Sequence, residues 1–262
     1  MNDAIYILFS LGIYSFAAGL LLKYLAKQTK PLKWNIIGLI ALGIITQGFG
    51  LFKVIDIGHL QNLSASHIFS MILWEASIIL CLAAFKLPVL NLFLAIIPLN
   101  ILSLLTVLFF PGETLLNTQV DHKLFLHIMF SVMTFSVWAL AFIQSVFLIV
   151  QDQLLKAKRF LILNKFFVSL EMMERLLFIL IYTGFGMLSI IIMSSFIFAD
   201  VFSLPVEIKQ KVFLAIIAWI IFGILIVFRK VGGWQGIKSA IWCIIGYLVL
   251  LLSYFGSVLL MR

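Results

Sequence analysis

Charge is what this chain has least of. Only 11% of its 262 residues are Asp, Glu, Lys or Arg, whereas a soluble domain carries about a quarter. So little polar surface cannot cover a globule, and lipid has to do the covering. Cysteine is almost absent as well. Cys81 and Cys243 each sit inside an apolar run, with no CxxC between them. They read as small buried hydrophobes, not as a disulfide or a metal site. The sequence has no Gly-rich phosphate loop, no HExxH and no nucleophile elbow, so nothing points to ATP use or hydrolysis and no enzyme is expected. Met1-Asn2-Asp3 lacks the basic n-region of a cleaved signal peptide, and the first apolar run is expected to stay as a helix.

What is present is hydrophobic. Apolar residues make up 64% of the chain, and the mean hydropathy is +1.23. Runs long enough to cross the hydrocarbon core occur at 4–22, 34–52, 66–85, 89–109, 125–150, 176–199, 211–228 and 238–260. Breaks carry turn punctuation: Lys30-Pro31, Lys86-Leu87-Pro88, Pro111-Gly112-Glu113 and Gly232-Gly233-Trp234. The expectation is an all-α membrane protein, a bundle of about eight transmembrane helices forming one polytopic domain over 1–262. The net charge of +8 does not imply nucleic acid, because the basic residues sit in short loops between apolar runs. With the N-terminus outside, 13 of the 18 Lys and Arg fall on the inner side. Only Lys53, Lys123, Lys209, Lys211 and Arg262 fall outside. That asymmetry predicts both termini on the outer face of a bacterial inner membrane, with lipid as the constant partner.

The longest inner connection, 151–175, alternates apolar and basic blocks through Leu154-Leu155-Lys156-Ala157-Lys158-Arg159-Phe160. It reads either as a helix lying at the cytoplasmic interface or as an extension of the fifth span. No internal repeat argues for an inverted-repeat transporter.

Ionisable groups at membrane depth are the first places to look for chemistry. All four histidines, His59, His67, His122 and His127, fall on the outer side of this topology. His59 and His122 are in loops, while His67 and His127 lie at the outer ends of the third and fifth spans. Helical spacing puts Ser131, Thr134, Trp138, Ala141 and Ser145 on the face of His127. This small-and-polar stripe is expected to face the bundle interior. Met129, Leu140, Ile143 and Phe147 on the far side suit lipid, interrupted by Ser136. His127 can be a metal or haem-iron ligand, a proton carrier or a packing hydrogen bonder. His67 is the most plausible second ligand, because His59 and His122 need not point inward. Trp74-Glu75 lies in mid-membrane on the third span, with Trp74 two turns below His67 and Glu75 turned roughly 80° away. A carboxyl there is expected to be protonated or paired. It either steadies a helix contact or relays protons.

Several stretches carry a family resemblance. Gly233-Trp234-Gln235-Gly236-Ile237-Lys238-Ser239-Ala240-Ile241-Trp242, continuing to Leu252-Ser253-Tyr254-Phe255-Gly256-Ser257, resembles the C-terminal signature of YpjD-type inner-membrane proteins. These belong to the cytochrome c assembly (CcsA/HemX-like) family. Gln61-Asn62-Leu63-Ser64, His127-Ile128-Met129-Phe130-Ser131 and Met173-Glu174-Arg175-Leu176-Leu177-Phe178 agree with it. The resemblance spans nearly the whole chain. It implies an eight-helix protein related to haem-handling components of cytochrome c maturation, with haem as the cofactor and maturation proteins as partners. His127 matches the family's histidine at the start of that helix. Two departures stand out. No W-G-x-x-W-x-W-D run occurs, and Gln210 stands before Lys211 where related sequences often carry a histidine. The alternatives are a HemX-like membrane regulator of haem biosynthesis, acting through 151–175, and an auxiliary subunit of a transporter or ion-efflux system, for which Glu75 would be informative.

Overall fold

A computed structural model describes residues 3–27, 30–58, 60–116, 122–159, 168–198 and 206–260. Eight helices in it are long and apolar enough to cross a membrane. They are α1 (Asp3–Lys27), α2 (Lys30–Ile55), α3 (Ala65–Ala83), α4 (Phe93–Phe109), α5 (His122–Lys156), α6 (Leu170–Phe198), α7 (Val206–Gly232) and α8 (Ile237–Leu260). Each expected span has its helix, so the chain is an all-α, multi-pass membrane protein. In hydrocarbon, intrahelical hydrogen bonding is the way a single segment satisfies its backbone, which is why long apolar runs become helices.

The described residues divide into two compact units, one up to Phe125 and the other from Leu126 on. In the first unit, Pro31 occupies the first turn of α2, where its missing N–H is no loss. A 3-10 turn, Leu90–Leu92, leads into α4. Within α4, Pro98 cannot donate, so the Leu94 carbonyl loses its intrahelical partner. The loops at one end of this unit form a small sheet that the hydropathy pattern did not foreshadow. Strand β1 (Asp56–Ile57) pairs antiparallel with β2 (Leu60–Asn62), which pairs antiparallel with β3 (Leu115–Leu116). Gly58, at φ 72°, opens the tight turn between β1 and β2. At the opposite end, Trp34 on α2 packs against Phe85 in the α3–α4 turn.

Polar side chains tie the helices of the first unit together at membrane depth. The Tyr14 hydroxyl donates to Gln47 Oε1 at 2.7 Å, and Gln47 Nε2 donates to Ser70 Oγ at 3.2 Å. Ser103 Oγ meets Ser70 at 3.3 Å, and Asn100 Nδ2 donates to Ser77 Oγ at 2.7 Å. All six side chains are buried.

The second unit is tied by rings. Trp138 of α5 stacks on Phe222 of α7, with centroids 3.5 Å apart and planes 13° from parallel. A Cβ added to Gly184 of α6 would lie 2.7 Å from Trp138, and one on Gly246 of α8 would lie 2.4 Å from Phe222. Two glycines therefore let four helices close on one ring pair. The chain leaving α5 is fastened by two amides, Gln144 Nε2 to Met173 O at 2.8 Å and Gln151 Nε2 to Val168 O at 2.7 Å.

Of the two readings of 151–175, extension of the fifth span holds at the start: α5 runs on to Lys156, and Lys158 follows in a left-handed conformation with φ 55°. Residues 160–167 lie outside the described residues, and 170–175 already belong to α6. The lipid-facing side expected of α5 needs correction. Leu140 and Ile143 are buried, as is every residue from Ser136 to Ala141. Other apolar residues of α5, Met133 and Val150 among them, are the exposed ones, and a pattern cannot separate the two sets because lipid-facing and helix-facing positions are equally apolar.

Candidate functional site

His67 lies in the first turn of α3, and the chain just before it is fixed by the small sheet. Asn62 Nδ2 donates to Gly112 O at 3.1 Å, and Asn62 Oδ1 accepts from the Thr114 N–H at 3.0 Å. Ser64, in the N-cap position, makes no capping bond. Its hydroxyl donates to Pro111 O at 3.0 Å instead. The same oxygen lies 2.7 Å from His67 Nδ1. His67 is fully buried, and its Nε2 has no hydrogen-bond partner. A hydroxyl has one proton, and the Ser64 hydroxyl is within reach of the Pro111 carbonyl, the Ser66 hydroxyl and the imidazole. With that proton on the Pro111 carbonyl, the imidazole donates through Nδ1 and Nε2 is a bare lone pair. The other tautomer would bury an Nε2–H with no acceptor, and orphaned buried N–H groups are rarer than orphaned acceptors.

His127, near the start of α5, is half-buried. Its Nδ1 lies 2.9 Å from Ser194 Oγ on α6. Ser194 in turn donates to the Ile191 carbonyl at 2.8 Å. With the serine proton on that carbonyl, which Ser195 Oγ also reaches at 3.0 Å, Nδ1–H is the donor and Nε2 keeps its lone pair. Sequence reasoning found both histidines but not Ser194, which is 67 residues away from its partner.

The polar stripe below His127 bonds to its own helix. Ser131 donates to His127 O, Thr134 to Phe130 O and Ser145 to Ala141 O, at 2.7–2.9 Å. Such back-bonding hides each hydroxyl and leaves an apolar surface for neighbours. Trp138, fully buried, has its ring face covered by Phe222. Trp74 is a tie between helices: its Nε1 donates to Ile44 O of α2 at 2.7 Å, and its ring lies against Gly48. Glu75 is half-buried on α3 and is not isolated from other groups. His59 lies outside the described residues, as does the side chain of His122. His67, Trp74 and Glu75 belong to the first unit, and His127 and Trp138 to the second.

A further cluster was missed in sequence. Glu174 at the start of α6 accepts from Gly236 N–H through Oε2 at 3.1 Å, and its Oε1 lies 3.5 Å from Arg229 Nη1. The Arg229 guanidinium rests 3.2 Å over the Phe178 ring. Glu174 and Gly236 come from two of the stretches that carried the family resemblance, and here they meet in space.

The chain matches the cytochrome c assembly protein family over residues 7–262. It is a member of that family. Its place is therefore in cytochrome c biogenesis at a membrane. No curated protein and no solved structure matches the chain. Among the described residues no group of three or more His, Cys, Asp and Glu is placed to hold a metal ion. Haem iron has different needs, since the macrocycle supplies four nitrogens and the protein only axial ligands. An imidazole with Nδ1–H anchored and Nε2 open is the form such ligation uses. Half-buried His127 fits that need as it stands, whereas the Nε2 of His67 is sealed and meets iron only if the residues around it part.

Proposed function

We propose that this family member binds or hands on haem during cytochrome c maturation, in a bacterial inner membrane, and does no turnover chemistry of its own. His127 is the principal ligand and His67 the second candidate; Trp74, Glu75 and Trp138 support the helices around them. The YpjD-type proteins are the branch its C-terminal stretch most resembles. The observation that carries this is the shared setting of the two histidines: each has Nδ1 on a serine hydroxyl that also reaches a backbone carbonyl. When bound, haem would offer iron to an axial nitrogen, and each imidazole would supply one.

The test is absorbance. Protein purified from haem-replete cells is expected to show a Soret band that falls by more than half in His127→Ala at equal protein, and less in His67→Ala. No band in the wild type, or an undiminished band in His127→Ala, removes the haem assignment and leaves a HemX-like regulatory role as the better account.

We also place both termini outside. Support comes from the basic residues within the second unit. Lys156, Lys158, Arg159, Arg175, Arg229 and Lys230 gather at the end where α5 stops and α6 starts, and Lys209 and Lys211 lie at the other. A reporter fused after residue 158 should score cytoplasmic and one after residue 262 external. The reverse pattern overturns the orientation.

A further inference from the structure

A lone-pair nitrogen on histidine is not the default, because neutral imidazole has two tautomers and either ring nitrogen can carry the proton. What selects one is the hydrogen bond at the other nitrogen. In this chain that choice is made twice, in separate units, by the same device. Ser64 sits between His67 Nδ1 at 2.7 Å and Pro111 O at 3.0 Å. Ser194 sits between His127 Nδ1 at 2.9 Å and Ile191 O at 2.8 Å. In both cases a serine proton given to the carbonyl leaves the serine oxygen to accept from the ring.

The two devices are not copies. Ser194 draws its carbonyl from its own helix, three residues back, as serines in helices commonly do. Ser64 reaches across to a loop 47 residues away. That loop is held in register by Asn62 through Gly112 and Thr114. Ser66 adds a second hydroxyl 3.0 Å from Ser64 and 3.4 Å from the same carbonyl. Pro111 contributes no backbone N–H to compete there. Gly112, at φ 46°, turns the chain so that its would-be Cβ is only 3.1 Å from Ser64 Cβ, so the close approach needs glycine.

We propose that Ser64 and Ser194 are positioning residues that hold His67 and His127 in the Nδ1–H tautomer, so that each keeps an unprotonated Nε2 and half-buried His127 presents its own to an electrophilic metal centre. The ligand class, haem iron, rests on the function proposed above, but the tautomer assignment does not. Removing either hydroxyl releases its own imidazole alone. Threonine, which keeps the hydroxyl, preserves the arrangement.

Nitrogen NMR of the haem-free, full-length protein with labelled histidine in detergent reads the tautomers directly, with His67→Ala and His127→Ala assigning the signals. The wild type is expected to show both residues with a proton on Nδ1 and the far-downfield signal of a bare Nε2. Ser64→Ala should move only His67 toward a mixture of tautomers, and Ser194→Ala only His127. Ser64→Thr should restore the wild-type pattern, and melting of each variant separates a shifted tautomer from a lost fold. Haem titration then expects about 10- to 100-fold weaker binding in Ser194→Ala. An Nε2–H signal for either residue in the wild type overturns the proposal, as do serine variants with unchanged tautomers. The expected tautomers without any haem binding would uphold the positioning role and refute the haem assignment instead.

Discussion

The two units solve one physical problem differently. Inside a bilayer, helices gain little from hiding apolar surface, since lipid tails are as apolar as leucine, and they associate through close packing and hydrogen bonds. The first unit leans on hydrogen bonds, in the run Tyr14, Gln47, Ser70 and Ser103 and the pair Asn100–Ser77. The second leans on rings laid against glycines: an added Cβ would come within 2.7 Å of Trp138 at Gly184 and 2.4 Å of Phe222 at Gly246, tighter than the 2.8 Å of Gly43 on Tyr14 and 2.9 Å of Gly48 on Trp74 in the first. A hydrogen bond tolerates small shifts, whereas a ring against a glycine tolerates none. The second unit should therefore be the more brittle to added volume and the first to lost polarity.

The most disruptive test of this contrast is Gly246→Leu. A Cβ there meets three Phe222 ring atoms at 2.4, 2.7 and 3.0 Å. The expected cost is about 1–3 kcal/mol or more from overpacking alone, seen as lower melting temperature and loss of the monodisperse peak in detergent. Gly186→Leu, on an exposed surface of α6 with nothing within 4 Å, is the control and should behave as wild type. Equal behaviour of the two variants would show that the glycine–ring fit does not matter.

Gln47→Leu probes the first unit. It removes the acceptor of the buried Tyr14 hydroxyl and the donor to Ser70, with an expected loss of about 1–3 kcal/mol for the stranded group. Tyr14→Phe in the same background removes that stranded hydroxyl and should recover part of the stability. No recovery would mean that the polar run is incidental to packing.

Asn62→Ala should have the smallest global effect. It releases Gly112 O and the Thr114 N–H, about 1 kcal/mol for each bond. Its readout is local: hydrogen exchange across 109–116 should quicken while the melting temperature moves only slightly. His67, fully buried in the wild type, should become reactive toward a histidine-modifying reagent, and half-buried His127 should not change. Unchanged reactivity of His67 would separate the loop from the histidine it is thought to cover.

Much of this was readable in one dimension, and the boundary falls where range does. Span number and position follow from local composition, because a hydrocarbon layer of fixed thickness demands about 20 apolar residues at a time. Hence helix class, the breaks at Pro88 and Gly232-Gly233, and the places of His67 and His127 near the starts of their helices were all legible. Short strands were not: β1 and β3 have two residues each and no period to read.

The far side of α5 misled because its apolar residues meet other helices instead of lipid. What only the tertiary structure decided is who touches whom across long stretches of chain: Ser194 with His127, Pro111 with Ser64, Phe222 with Trp138, Gly236 with Glu174. In a membrane protein nearly every helix face is apolar, so hydropathy cannot choose partners. Shape and a few hydrogen bonds choose them, and both exist only once the helices have packed.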